Sequence, residues 1–135
     1  MELLIDSSLW IDFARPKSPP ALKQQIAVWI HHERAATCAP VRYEVLRGAL
    51  RHERPRLEQQ LRTTLWLPLP DAFWEKATLL GQKCRDAGFT VGAFDLMIAA
   101  VALHHDAEIV TFDSDYALIA QAEPRLRVNA LVRIA

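Results

Sequence analysis

The stretch that decides the fold is GAFDLMIAAVALHH, residues 92–105, followed after two residues by EIVT, residues 108–111. From Val91 to Leu103 the only charged side chain is that of Asp95, and no other residue of that span is polar. A helix that is apolar on all sides must be buried. The EIVT segment is rich in β-formers and is predicted to be a strand. A buried helix that leads into a strand indicates the interior of an α/β domain.

Strand and helix signals alternate along the rest of the chain. The first strand is a short apolar run that ends in a carboxylate, as expected for a buried strand that emerges at a sheet edge. Alternation of strands with helices predicts an α/β sandwich of three layers, in which a mostly parallel five-stranded sheet is flanked by helices. The predicted strands are Glu2–Asp6, Ala35–Ala39, Trp66–Leu69, Glu108–Thr111 and Arg127–Ile134, and the predicted helices are Ala21–Arg34, Pro40–Arg51, Pro55–Leu65, Asp71–Gly88 with Asp71 as its cap, Gly92–His105 and Ser114–Ala122.

Composition is that of one compact domain over residues 1–135, with 51% hydrophobic and 24% charged residues, and it excludes disordered and fibrous proteins. Sixteen basic residues balance sixteen acidic ones, so the whole molecule has no general attraction for nucleic acid. The longest apolar run, Leu96–Leu103, is too short to span a membrane. The N-terminus lacks the features of a secretory leader, so we expect a cytoplasmic protein. Cys38 and Cys84 lack metal-ligand spacing and are expected to be reduced core residues.

Two carboxylates are expected at the carboxyl ends of strands. Asp6 ends the first predicted strand, and Asp113 comes two residues after the strand that closes with Thr111. Open parallel sheets keep their functional sites at this edge, so the two acids should lie near one crevice. The alternative is structural, with Asp113 capping the following helix and Asp6 or Ser7 closing a turn.

Two further carboxylates belong to apolar helix faces. Asp95 loses hydration worth several kcal/mol on such a helix unless it meets a cation, a metal or several hydrogen-bond donors. Glu44 shares a helical stripe with Val41 and Val45, which should face inward. The structural alternatives are a helix-cap or helix-dipole role for Asp95 and an ion pair with Arg47 for Glu44.

Gathered at one site, these four acids would repel one another, and the pKa of some members would rise. A divalent cation would remove that repulsion. The sequence offers oxygen ligands without a Cys or His cluster, which favours Mg²⁺, with Mn²⁺ as a plausible substitute, over zinc. The sequence therefore predicts an acidic metal site.

Four sequence blocks contain these acids: LIDSSLWI (4–11), YEVLRGA (43–49), FDLMIAA (94–100) and VTFDSDY (110–116). They resemble the blocks of PIN-domain nucleases, occur in the family's order and span almost the whole chain. The length looks most like the VapC type, the toxin ribonucleases of toxin–antitoxin operons. The resemblance implies a PIN-like sheet topology, Mg²⁺-dependent cleavage of RNA, a homodimer within a larger toxin–antitoxin assembly, and inhibition by a small cognate antitoxin that inserts a segment toward the acidic site.

The same resemblance assigns roles to individual residues. Asp6, Glu44, Asp95 and Asp113 fall on the family's acidic quartet and are the expected catalytic residues. Our hypothesis is that Asp6, Asp95 and Asp113 hold Mg²⁺ directly or through water. Glu44 then orients or deprotonates the attacking water. The expected supporting residues are Thr111, which matches a hydroxyl beside the site, Asp115, which matches a frequent fifth acid, and Ser7.

Surface contacts are predicted for two further groups of residues. Arg42, Arg47 and Arg51 lie in the most basic part of the chain and are candidates for a rim that contacts RNA phosphates. The alternative is a solvated helix face with ion pairs. Trp29 and Ile30 are candidates for contact with the antitoxin or a second protomer, and core packing is their alternative.

Three other functions would also suit parts of this sequence. A receiver-like signalling domain has an acidic Mg²⁺ pocket but needs a lysine after a late strand, and the last lysine here is Lys83. A non-catalytic binding module would use the acids to receive an arginine from a partner protein. A metal-free ribonuclease would use two histidines as acid and base.

Overall fold

The computed structural model describes residues 1–134, so Ala135, the last residue of the predicted domain, lies outside the described residues. Within this range five strands form one sheet and seven helices connect them. The strands are β1 (Leu3–Ile5), β2 (Ala35–Thr37), β3 (Leu65–Trp66), β4 (Glu108–Thr111) and β5 (Arg127–Ala130), and the helices are α1 (Ser7–Ala14), α2 (Pro20–Ile30), α3 (Ala39–Gly48), α4 (Arg54–Arg62), α5 (Phe73–Asp86), α6 (Ala93–His105) and α7 (Asp115–Ala122).

All neighbouring strands are parallel, in the order β3-β2-β1-β4-β5. The central strand is β1, where Leu4 pairs with Ala36 of β2 and with Ile109 of β4. The chain moves outward from β1 to β3, then crosses to β4 and moves outward again to β5. Right-handed crossovers therefore place α1–α4 on one face and α5–α7 on the other. The predicted α/β sandwich is confirmed, and β1 and β4 form its topological switch point.

The apolar helix predicted from Gly92 to His105 is α6. Ile98, Ala99 and Val101 on this helix have 0% of their surface exposed, which confirms that it is a core element. Although α6 is the segment with the longest apolar run, no helix within residues 1–134 is long and apolar enough to cross a lipid bilayer. The cysteines are buried and not disulfide-bonded, as expected.

Helix α1 was not predicted from the sequence. Asp6 is its N-cap and accepts a hydrogen bond from the backbone N–H of Ser8, with N and Oδ2 3.3 Å apart. Leu9 and Trp10 anchor the helix in the core, and Trp10 is only 1% exposed. A capping acid followed by apolar residues was a usable signal. Eight residues, however, give only about two turns over which helical spacing can be recognised.

Two other predicted boundaries are wrong. The last strand was expected to reach Ile134 but ends at Ala130, because Ala130 pairs with Thr111, the last residue of β4, and no strand continues beside it. Asp71 was expected to cap α5, but the helix begins at Phe73 after Ala72, whose φ of 56° places it in the left-handed region. The remaining elements are present with ends displaced by a few residues or not at all.

The packing of α2 generates a stability prediction. Ile26 is 0% exposed, whereas Val28 on the same helix is 67% exposed. Ile26→Ala is expected to lower the free energy of unfolding by about 2–5 kcal/mol, because it removes buried methyl groups and leaves a cavity. Val28→Ala, the matched control, should change it by less than about 0.5 kcal/mol. Urea unfolding followed by circular dichroism measures both, and equal losses would contradict this placement of the helix.

Candidate metal centre at the switch point

The switch point brings the ends of β1 and β4 side by side. Asp6 directly follows β1, and its backbone N–H donates to the carbonyl of Val110 in β4 at 3.0 Å. Asp113 lies two residues beyond the end of β4. The sheet therefore places both acids at the same carboxyl edge, as the sequence predicted.

The Asp6 carboxylate is buried and held by several donors. It is 2% exposed. Its Oδ2 accepts hydrogen bonds from the hydroxyls of Ser8 and Thr111, both at 2.8 Å. Its Oδ1 accepts a hydrogen bond from the hydroxyl of Tyr116 at 2.9 Å. These donors compensate the lost hydration of the carboxylate and fix its orientation.

The same hydroxyls also position the loop after β4. Thr111 Oγ1 accepts a hydrogen bond from the backbone N–H of Asp113 at 2.8 Å, and Ser8 Oγ accepts one from Phe112 N–H at 3.1 Å. Asp113 Oδ1 in turn accepts from the N–H of Asp115, at 2.9 Å, where α7 begins. The N-cap of α7 is Ser114, so Asp113 is not the cap that its structural alternative proposed, but it accepts a hydrogen bond from the first residue of that helix and lies at the site.

Three carboxylates come together across the start of α6 and α7. Asp95, Asp113 and Asp115 each offer an oxygen that lies within 4.8 Å of those of the other two, a spacing suited to one metal ion. The set predicted from the sequence was Asp6, Asp95 and Asp113. In the structure the oxygens of Asp6 are engaged by hydroxyl donors, and Asp115, expected only to support the site, lies in the three-carboxylate group.

Glu44 joins the cluster from α3. Its Oε1 accepts a hydrogen bond from the Ser7 hydroxyl at 2.9 Å, which connects it to α1. The ion pair with Arg47 that was its structural alternative is not formed among the described residues. Arg47 instead lies against the ring of Tyr43, with the guanidinium carbon 5.8 Å from the ring centroid.

Within residues 1–134 the negative charge of this cluster is not paired in a salt bridge, although the charge of Arg47 opposes part of the rise in the pKa of Glu44. Within residues 1–134, no salt bridge joins any of the five acids to Lys, Arg or His. Burial, and then the charges of Asp113 and Asp6, raise the pKa of Asp95 from its ordinary value of 3.8 to about 7. Burial, together with the charge of Asp6, also raises the pKa of Glu44, although the Ser7 hydrogen bond opposes that rise. A carboxylate-only cluster with unneutralised charge fits a hard divalent cation.

Two residues of the cluster were not predicted from the sequence. Tyr116 is fully buried, and burial together with the nearby Asp6 raises the pKa of its hydroxyl well above 10, so it acts as a hydrogen-bond donor. Ser8 donates to Asp6 and accepts from the loop after β4. Both lie inside the quoted sequence blocks. Spacing alone does not distinguish them from an ordinary core aromatic and an ordinary turn serine.

The structure places the predicted surface residues in different environments. Arg42 forms an ion pair with Glu58 on α4, which is its structural alternative, whereas Arg47 and Arg51 are exposed. Trp29 is partly buried. Ile30 is 3% exposed and packs in the core, so the expectation that it contacts a partner is wrong for this structure.

Sequence comparison agrees with this arrangement. The family model described as PIN domain matches residues 3–122, which include all five acids. The chain belongs to the PIN-domain family. It is 33% identical over 123 residues to a VapC ribonuclease of Mycobacterium bovis and to ribonuclease VapC11 of Mycobacterium tuberculosis. Each alignment covers 88% of this chain and 92% of the relative, so this PIN-domain protein is of the VapC type.

Solved structures share the fold. DNA-bound VapBC from Salmonella typhimurium matches with a TM-score of 0.76 at 17% identity, over 96% of this chain and 98% of the other. A toxin–antitoxin complex from Klebsiella pneumoniae matches with a TM-score of 0.73 at 22% identity, over 98% and 100% of the two chains. At these identities the likeness establishes the fold, which is that of PIN-domain VapC proteins.

The raised pKa of Asp95 predicts how the stability of the metal-free protein depends on pH. The folded state holds this proton more tightly than the unfolded chain, so the free energy of unfolding should fall as pH rises from about 4 to about 7. Asp95→Asn does not ionise and should lose that part of the pH dependence. It should therefore be more stable than the wild type at pH 7.5. Urea unfolding in EDTA between pH 4.5 and 8 measures this, and parallel curves for the two proteins would contradict the assignment.

Proposed function

We propose that this PIN-domain protein is a metal-dependent endoribonuclease that hydrolyses phosphodiester bonds of cellular RNA in the cytoplasm, and that it is the toxin of a toxin–antitoxin pair. The observation that carries the chemistry is the cluster of partly buried carboxylates without a neutralising cation at the switch point. The ribonuclease names of the relatives support the substrate class.

The acids of the cluster have two roles in this proposal: three of them bind the metal, and Asp6 supplies negative charge beside it. Asp95, Asp113 and Asp115 would hold Mg²⁺ or Mn²⁺, because each offers an oxygen within 4.8 Å of those of the other two. Asp6 contributes negative charge while its oxygens stay with their hydroxyl donors. When bound, a divalent ion lowers the pKa of coordinated water and offsets charge on the phosphate.

Glu44 is the proton acceptor in this proposal. Ser7 donates to Oε1, which fixes the carboxylate and leaves Oε2 to accept a proton from water. The raised pKa of Glu44 brings its basicity nearer to neutral pH, as a general base requires. Glu44 reaches the cluster from α3, and the charges of Asp6 and Asp113 act on it there.

Cleavage of pooled cellular RNA by purified, antitoxin-free protein tests this function. The wild type should cut RNA with Mg²⁺ or Mn²⁺ and stop in EDTA. Glu44→Gln should lower the rate by about 10²–10⁴-fold through loss of the base. Asp95→Asn should weaken Mn²⁺ binding in calorimetry and abolish cleavage at micromolar metal. Glu33→Gln, an exposed acid before β2 at the opposite edge of the sheet, is the matched control and should leave both unchanged.

Other outcomes favour other functions. Cleavage that survives EDTA and Asp95→Asn would contradict the metal mechanism and favour the histidines. A folded, Mn²⁺-binding wild type that cuts no RNA would favour the binding module or the receiver-like domain.

A small antitoxin is the proposed partner, within a homodimer-based assembly, because the structural relatives include VapBC and toxin–antitoxin complexes. A cavity of about 380 Å³ between α1, α2 and α4 has apolar walls at Phe13 and Leu57, basic side chains at Lys23 and Arg56, and one acid, Glu53. A second cavity shares Leu57 and reaches Glu44. An apolar, acidic antitoxin segment would suit this groove and lead toward the acids.

Charge reversal in the groove tests the partner. Arg56→Glu should weaken the complex with the antitoxin encoded beside this gene at least tenfold, because a basic wall becomes acidic. Trp29→Ala tests the predicted interface residue on α2. Binding measured by calorimetry should be unaffected by Arg85→Glu on α5, the control. Unchanged affinity in Arg56→Glu would place the antitoxin elsewhere.

A further inference from the structure

An exposed aromatic pair lies beside the acid cluster. Tyr43 of α3 stacks on Phe94 of α6, with ring centroids 5.4 Å apart and planes inclined by 20°. Tyr43 is 56% exposed, so it contributes little to the core. Phe94 is partly buried and supports Tyr43 from behind.

The position of the pair relative to the acids follows from the two helices. Tyr43 precedes Glu44 on α3, and Phe94 precedes Asp95 on α6. Arg47, which lies within 6.0 Å of both ring centroids, lines one cavity together with Glu44 of the acid cluster. The stack therefore borders the cluster where α3 and α6 pack together.

A cation flanks the same pair. The guanidinium carbon of Arg47 is 5.8 Å from the Tyr43 centroid and 6.0 Å from the Phe94 centroid. Nearly equal distances place Arg47 beside the two rings, so it does not cover the outer face of Tyr43. Among the described residues Arg47 forms no salt bridge. Its charge lowers the pKa of the nearby Glu44, and its exposed side chain can also contact a ligand anion.

This combination of an open ring face and an exposed cation suits one ligand class. A nucleobase presents a flat π-face that stacks on tyrosine, and its neighbouring phosphate needs a cation next to a strongly acidic site. In an A-form duplex the base faces are stacked on one another and are not accessible to a side chain. Only an unpaired nucleotide can use such a surface.

We propose that Tyr43, supported by Phe94 and flanked by Arg47, binds an unpaired nucleobase of RNA next to the scissile phosphate, with Arg47 contacting an adjoining phosphate. This inference rests on the proposed ribonuclease function and deepens it, because it assigns the residues that position an unpaired nucleotide beside the acids. Tyr43 is a positioning residue: it orients the strand relative to the acids without taking part in the chemistry.

The test uses RNA binding and cleavage as separate measurements. A cleavage site mapped in pooled RNA defines a short single-stranded oligonucleotide, and the full chain carrying Asp95→Asn serves for binding without cleavage. Tyr43→Ala in that background should weaken binding of the oligonucleotide about 5- to 150-fold, the range of one base–aromatic stack. Tyr43→Phe should keep wild-type affinity. Trp74→Ala removes an equally exposed aromatic on α5 and should have no effect.

An oligonucleotide series identifies the base. Replacing the nucleotides around the cleaved bond one at a time by abasic residues should reveal one position at which the wild type loses affinity and Tyr43→Ala shows no further loss. Cleavage of the same oligonucleotide annealed to its complement should be at least tenfold slower than that of the single strand. The comparison of duplex with single strand uses only the wild type, so it does not depend on a variant that folds.

The results separate the possible errors. Unchanged binding in Tyr43→Ala, or equal cleavage of duplex and single strand, would overturn the base site while leaving the nuclease intact. A change of oligomeric state in sedimentation with unchanged RNA affinity would overturn it too, and would make the pair a protein interface. Tyr43-dependent RNA binding by a wild type that never cleaves would sustain the base site and refute the nuclease.

Discussion

The hydrogen bonds that converge on Asp6 hold the functional edge of this protein together. One carboxylate receives hydroxyls from α1, from the end of β4 and from α7, and its residue also caps α1. Because charge-assisted hydrogen bonds in a buried setting are stronger than neutral ones, this group fixes the relative position of the two central strands. The Thr111 hydroxyl that donates to Asp6 also accepts a hydrogen bond from the backbone N–H of Asp113. It thereby positions Asp113 and the neighbouring Asp115.

The carboxylates of the acid cluster repel one another, and this repulsion remains in the folded protein. Burial and mutual charge hold the proton of Asp95 up to about pH 7, and no basic side chain within residues 1–134 forms a salt bridge to the group. Glu123, a buried acid outside the cluster, differs because it forms salt bridges. Arg125 and Lys83 pair with its carboxylate and lower its pKa to about 2. The contrast between this paired buried acid and the unpaired cluster at the sheet edge supports the proposed metal site.

Much of the fold was predictable because its signals are local. Short windows of sequence indicate the buried helix α6 and the alternation of strands with helices. They also indicate the four acids, because each lies in an apolar segment or at the end of a strand. Predictions were wrong where the local signal was weak, or where pairing with another strand set the end of an element. Helix α1 is too short for its periodicity to be recognised, and β5 ends where its neighbour β4 ends. Ile30 was a candidate for partner contact with core packing as its alternative, and it packs in the core on the same face of α2 as Leu22 and Ile26.

The sequence by itself determined the α/β class, the family and the identity of the acids, since each depends on residue type and near-neighbour spacing. Only the tertiary structure decided which carboxylate oxygens accept hydrogen bonds from hydroxyls and which acids come together as one group. Asp6 meets Thr111 and Tyr116 across 105 and 110 positions of chain, so its hydrogen bonds, and the grouping of Asp115 with Asp95 and Asp113, exist only once the switch point is formed. The same is true of the Tyr43–Phe94 stack, which joins two helices that are far apart in sequence. Local spacing places a side chain on an element, but a site is a set of contacts between elements, and those are fixed by packing.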